Sequence, residues 1–333
     1  TASPIRRIES RFGTTAISRD VATTSGTTAP YSALRREQTT LSPPGNLIGW
    51  PDVPDDTLRV ALVSDVFFAA NGEQRLRDRL GEAKSLGAQL AVLPELPVNP
   101  WSPASNAARP QDAEPPDGPQ SQMQAKAARD IGLAVVGGAI IYDPASGKRT
   151  NTAMVFDADG TLIATYAKLH IPHEPGFWEA NHYQPGDDPP SVIRNLAMPF
   201  GIQICSDINR PAGSHILSAQ GAEAIIVPRA SEEATYEHWR IVFQATAMTA
   251  AAYVLSVNRP GPEHGVPIGG PSIAVGPHGD ILLETVDPVA LITLDRNSVR
   301  QARRAYPGYL PVRASLYAEA WAEVVRGQDK HRP

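Results

Sequence analysis

A single cysteine, Cys205, stands in a chain of 333 residues. One thiol cannot form an intrachain disulfide framework or a cysteine-rich zinc or iron–sulfur site, and it suits a reducing compartment, so a cytoplasmic location is expected. No apolar run approaches the roughly 18 residues of a membrane span, and no membrane partner is expected. An excess of positive charge is missing too: 30 basic against 35 acidic residues give a net charge of −5, which offers no general attraction to nucleic acid or anionic lipid. The chain also lacks Gly-x-x-x-x-Gly-Lys-Ser/Thr, a strand followed by Gly-x-Gly-x-x-Gly, Gly-x-Ser-x-Gly and His-Glu-x-x-His. Nucleotide, dinucleotide, serine-esterase and common zinc-protease chemistries thereby lose their sequence support. A small, neutral-looking molecule is the expected partner.

What is present is an apolar fraction of 42% with 20% charged residues, enough for a substantial core. Residues 1–56 stand apart. They are rich in Ser, Thr, Arg and Pro, carry six Arg against three acids up to Gly45, and read as an extended arm, either wrapping a protein body or serving as a targeting segment. The first residue is Thr1, which leaves room for a processed segment ahead of it. From Thr57 the pattern changes to apolar strands, at 58–64, 88–93, 133–141, 200–204, 224–227, 253–257, 272–275, 281–285 and 289–293, alternating with helical spacing at 72–86, 120–131, 214–220 and 236–252. Asp157-Ala-Asp-Gly160 joins strands 151–156 and 161–166 in a hairpin. This alternation predicts an α/β layered fold with a mixed sheet over 57–300. Residues 301–333 read as a tail with a helix at 316–325, expected to pack on another subunit.

Cys205 ends the strand Phe200 to Ile204 and precedes a polar turn with a helix start near Pro211. Open α/β sheets present reactive groups at the carboxyl ends of their strands, where backbone N–H groups can stabilise a thiolate or an oxyanion. Free cysteine is equally a common core residue, so position alone leaves both readings open. Glu95 in Leu-Pro-Glu-Leu follows an apolar strand and is either a general base or a surface carboxylate. Lys168 in Tyr-Ala-Lys-Leu-His-Ile-Pro sits just past the hairpin, exposed or else buried against a carboxylate partner.

Together these segments, at 93–96, 166–172 and 201–207, resemble in residues and in order the motifs of the nitrilase superfamily, the carbon–nitrogen hydrolases. The stretch Ile-Pro-His-Glu-Pro-Gly-Phe-Trp-Glu-Ala-Asn-His-Tyr at 171–183 is similar to the corresponding loop of the N-carbamoylputrescine amidase branch, as are Glu-His-Trp-Arg at 237–240 and Ser-Val-Asn-Arg at 256–259. The resemblance implies a four-layer αββα sandwich. It also implies a catalytic set of Glu95 as base, Lys168, Cys205 as nucleophile and Glu179 as the second glutamate, with the Ser206 backbone N–H as oxyanion donor. The reaction implied is cleavage of a linear amide or N-carbamoyl amine, without a metal or organic cofactor, in a homodimer or larger homo-oligomer.

Nitrilases proper carry Trp-Glu after the cysteine, and Ser206-Asp207 stands here, which favours amides over nitriles and points to an altered pocket. Candidate pocket residues are Trp101, His173, Trp178, His182, Asn209, Arg210 and Trp239. Arg210 is placed either to bind a substrate carboxylate or to pair with Asp207 or Glu223. A nitrilase, an acyltransferase that passes the acyl group to an acceptor other than water, and a noncatalytic scaffold are the competing functions.

Overall fold

The computed structural model describes residues 56–329. The arm expected over 1–56 falls outside the described residues except for Asp56. β1 (Thr57–Val63) leads into α1 (Gly72–Ser85), β2 (Leu90–Val92), α2 (Pro119–Ile131), β3 (Ala134–Tyr142), β4 (Arg149–Phe156) and β5 (Leu162–Ala167). Then come β6 (Phe200–Ile202), α3 (Pro211–Ala219), β7 (Ala224–Arg229), α4 (Tyr236–Ala250), β8 (Tyr253–Asn258), β9 (Ser272–Val275), β10 (Ile281–Thr285), β11 (Val289–Asp295), α5 (Arg296–Arg304) and α6 (Ala314–Asp329).

The strands form two sheets, ordered β11-β1-β2-β3-β4-β5 and β10-β9-β8-β7-β6, where periodicity alone predicts one mixed sheet. Alternation along each strand explains the layering. Val60 and Leu62 of β1 face Phe200, Ile202, Ile226 and Leu255 of the second sheet. Their neighbours Ala61 and Val63 point the other way, onto Leu76 and Leu80 of α1 and Ala127 and Ala128 of α2. The second sheet does the same, turning Ile225, Val227 and Val254 onto Leu217 of α3 and Phe243 and Ala247 of α4. The result is the αββα sandwich. At Gly201 a Cβ would meet the Leu217 side chain at 2.3 Å, so only glycine lets β6 lie so close to α3.

Strands β1, β2 and β3 run parallel, as do β6, β7 and β8. Their carboxyl ends therefore deliver chain to common edges, and Glu95, Cys205 and Arg229 all come from such ends. α5, capped by the Asp295 carboxylate accepting from the Asn297 N–H, straddles the boundary drawn at residue 300. Among the described residues no helix is long and apolar enough to cross a membrane.

Candidate active site

Glu95 lies three residues beyond β2 and is 1% exposed. Its Oε1 accepts from Lys168 Nζ at 2.8 Å and from Asn151 Nδ2 at 2.7 Å, and its Oε2 accepts from the Ala230 N–H at 3.0 Å. The loop that carries it is held by Arg259 at the end of β8, whose Nη1 donates to the Glu95 carbonyl at 2.8 Å and the Leu96 carbonyl at 2.7 Å. Glu263 pairs with that guanidinium at 2.7 Å, so its charge is matched.

Lys168, wholly buried just past β5, donates also to Glu179 Oε2 at 2.6 Å. Burial would pull its ammonium down, but Glu179 and Glu95 outweigh burial and hold it above the ordinary lysine value. An ammonium has three protons, and among the described residues only these two carboxylates accept from it, which leaves one donor free. Tyr183 donates to Glu179 Oε2, while Glu179 Oε1 is buried with no partner. Burial raises the Glu179 carboxyl to about 7, with Lys168 opposing the shift and Glu95 reinforcing it.

Cys205 opens a short 3-10 turn, Cys205–Asn209, and adopts φ +48°, a left-handed backbone conformation unusual for a residue with a Cβ. Its Sγ lies 3.6 Å from the Ala230 carbonyl. Burial, then the Glu95 charge, pushes the thiol well above its usual range, and Lys168 offsets part of that push. Cys205 and the Glu95 carboxylate thus both meet Ala230. No protein acceptor takes the neighbouring Ser206 N–H among the described residues.

Asp207, fully buried, ties the cysteine turn to the lysine segment. Its Oδ1 accepts from the Leu169 N–H at 3.1 Å and the His170 N–H at 2.8 Å, and its Oδ2 from Tyr166 at 2.9 Å and the Ile204 N–H at 3.1 Å. It is therefore not available to Arg210, and Glu223 pairs with Arg296 at 2.6 Å.

Cys205 and Glu179 open onto a cavity of about 450 Å³, walled by Phe177, Trp239, Asn209, Ser231 and Thr235 and by the carboxylates Glu174 and Glu232. Of the candidate pocket residues the structure puts Asn209 and Trp239 on this wall. Trp101 is buried elsewhere, its indole donating to the Gly176 carbonyl at 2.9 Å, and His182 Nε2 meets the Ser105 carbonyl at 2.7 Å. His173 packs against Trp178 at 5.2 Å, and Arg210 precedes α3, so neither pairing nor wall contact brings these three to the cavity. The sequence reading missed Asn151, Tyr183, Ala230 and the role of Asp207. A polar Asn inside the apolar strand Asn-Thr-Ala-Met-Val-Phe was the available signal for the first.

The family profile described as carbon-nitrogen hydrolase matches residues 68–304. The chain belongs to the carbon–nitrogen hydrolases. It is an enzyme acting on non-peptide amides, within the nitrilase superfamily. It is 29% identical over 215 residues, 59% of this chain and 71% of the other, to N-carbamoylputrescine amidase of Arabidopsis thaliana. It is 28% identical over 272 residues, 78% of this chain and 97% of the other, to omega-amidase NIT2 of Bos taurus. Among solved structures, a carbon–nitrogen hydrolase from Helicobacter pylori G27 superposes with a TM-score of 0.72 at 22% identity, covering 80% of this chain and 98% of that one. An amidase from Nesterenkonia sp. AN1, in a form showing covalent addition of the acetamide moiety of fluoroacetamide at its active-site cysteine, gives a TM-score of 0.62 at 25% identity, covering 79% and 96%.

Proposed function

We propose that this carbon–nitrogen hydrolase works through a thioester on Cys205. The observation that carries the reading is the buried Glu95–Lys168–Glu179 cluster, its side chains 0% exposed in both ion pairs, with Glu179 sharing a cavity with the lone thiol. The raised thiol pKa means that Cys205 is protonated at rest, so attack on an amide carbonyl requires a base, and Glu95 takes the proton. The oxyanion then meets the free Lys168 donor and the Ser206 N–H, each worth about 3 kcal/mol in the transition state. The proton on Glu95 passes to the departing nitrogen, ammonia leaves, and Glu95 next deprotonates the water that releases the acid and restores the thiol. Glu179 orients Lys168, and its unpartnered oxygen faces the substrate N–H. The covalent adduct described for the Nesterenkonia amidase supports a cysteine in this role.

The substrate is a linear amide or N-carbamoyl amine, and the wall narrows the choice. Besides Glu179, its lining includes two carboxylates, Glu174 and Glu232, and among the described residues neither Lys nor Arg, which disfavours a substrate ending in a carboxylate and favours a neutral or cationic end. An N-carbamoyl diamine fits that wall better than an ω-amide of a dicarboxylic acid. The protein works as a homo-oligomer in this reading: α6 exposes Leu316, Tyr317, Trp321, Val324 and Val325, a face suited to a second copy of the chain.

Intact-mass spectrometry after mixing with amides, N-carbamoyl amines, ω-amide acids and nitriles tests the proposal. A substrate-dependent adduct that disappears in Cys205→Ala is expected, with ammonia released fastest from the N-carbamoyl diamine. Turnover by Cys205→Ala at the wild-type rate would overturn the thioester, and preference for the carboxylate-bearing amide would overturn the substrate assignment.

A further inference from the structure

Two arginines are wholly buried at adjacent strand ends, and they are treated differently. Arg259 has Glu263 against its guanidinium. Arg229, the last residue of β7, has only neutral acceptors among the described residues: Ser256 Oγ at 3.1 Å, Ser231 Oγ at 2.5 Å and the Pro271 carbonyl at 2.6 Å. Around it stand the rings of Phe243, Tyr236 and Trp239, their centroids 5.5, 5.7 and 5.8 Å from the guanidinium carbon. Burial lowers its pKa to about 10, so it remains a cation at neutral pH. Among the described residues no carboxylate bonds to it and Glu95 acts on it only at longer range, and a buried charge without an ion pair is costly.

The next residue supplies the connection. Ala230 donates its N–H to Glu95 and receives the Cys205 Sγ at its carbonyl. The ionisable groups of the assembly are Glu95 from the β2 end, Lys168 from the β5 end, Glu179 and Tyr183 from the loop between, Cys205, Tyr236 of α4 and Arg229 itself. With the thiol proton taken up by Glu95, the thiolate and Glu179 would be two anions facing one ammonium in a buried site. Arg229 supplies the second cation.

We propose that Arg229 is a positioning residue for the charge of the reaction: a buried cation, behind Ala230, whose counter-charge is the Cys205 thiolate and the anionic tetrahedral species that forms from it. This rests on Cys205 being the nucleophile. The rings of α4 keep water away from the guanidinium, so its field acts on the thiol at low dielectric. Part of the push on the thiol from burial and Glu95 is thereby cancelled, and Trp239, which shares the cavity wall, is held in place by the same guanidinium.

The test is the rate of Cys205 alkylation by iodoacetamide, followed by mass from about pH 6 to about pH 10; the sole cysteine makes the signal specific. For Arg229→Gln alkylation should slow about tenfold at each pH in that range, while Arg229→Lys keeps the wild-type profile. A superimposable profile for Arg229→Gln overturns the inference. So does an equal shift in Arg229→Lys, which would assign the effect to the lost hydrogen bonds. Should Arg229→Gln fail to fold, Ser256→Ala removes a hydrogen bond and leaves the charge: the inference requires an unchanged profile, and a shift overturns it. Separately, alkylated wild-type protein that still hydrolyses amides would end the nucleophile reading, whatever Arg229 does.

Discussion

The closed cluster and the open wall of the same cavity are built on opposite plans. Glu95, Lys168 and Glu179 are withdrawn from water, and each carboxylate accepts further neutral hydrogen bonds, Glu95 from Asn151 and Ala230 and Glu179 from Tyr183. The wall presents Glu174, Glu232 and His238 with their side chains reaching solvent. Preorganised dipoles and charges act strongly only where water is excluded, so the proposed mechanism assigns the bond-breaking step to the closed part. The solvated wall contributes weaker, substrate-dependent terms. The difference teaches that damage to the cluster should lower turnover of every amide, and damage to the wall should change which amide is preferred.

That contrast can be broken most severely at the thiol. Cys205→Ala should lower kcat for all amides by at least about 10⁴-fold, measured as ammonia release, with the far-ultraviolet circular dichroism unchanged. Lys168→Met should come next. It removes a transition-state donor, for a loss of about 10²- to 10³-fold, and leaves two buried carboxylates facing each other, costing about 3–5 kcal/mol in urea unfolding. Asp207→Asn should reduce kcat about 10- to 100-fold by loosening the tie between the cysteine turn and the lysine segment; an unchanged kcat would show that the tie is dispensable. At the wall, Glu232→Gln should leave neutral amides unaffected and lower kcat/KM for a cationic substrate about tenfold. Equal losses for both would erase the distinction between the two regions.

A pH measurement sharpens the comparison with a smaller effect. The folded Glu179 carboxyl is raised from 4.5 to about 7, so the native state holds its proton more tightly than the unfolded chain does. Its contribution to stability is therefore complete at low pH and is lost as pH rises from 4.5 through about 7. Glu179→Gln should flatten that slope in urea midpoints, whereas Glu174→Gln on the wall should leave it intact.

The strand and helix segments were legible because their burial is periodic within a few residues. The division into two sheets was not, because a strand buried on both faces reads the same in either one: Ile225 and Ile226 of β7 are both apolar, yet point to different layers. Glu95, Lys168 and Cys205 were legible as an ordered set of motifs. Their supports were not, since Ala230 is 135 residues from Glu95 and Arg259 is 164 from it, and neither pairing leaves a local pattern. Two of the residues assigned to the pocket lie away from its wall for another reason. Trp101 and His182 have the chemistry of a lining residue, but backbone carbonyls of neighbouring loops take their N–H groups or ring nitrogens and draw them into the protein.

The left-handed backbone at Cys205 places folding and turnover at odds. For a residue with a Cβ that conformation costs about 1–2 kcal/mol, a strain glycine avoids. The same position keeps a thiol in a site that disfavours its ionisation. On backbone strain alone residue 205 is a place for glycine, against which stands the packing of the thiol in the core between the sheets. Where the strain outweighs that packing, random mutagenesis selected for heat resistance should retain Cys205→Gly, and under the proposed mechanism such proteins would be catalytically dead, so a screen for this enzyme must score turnover alongside survival.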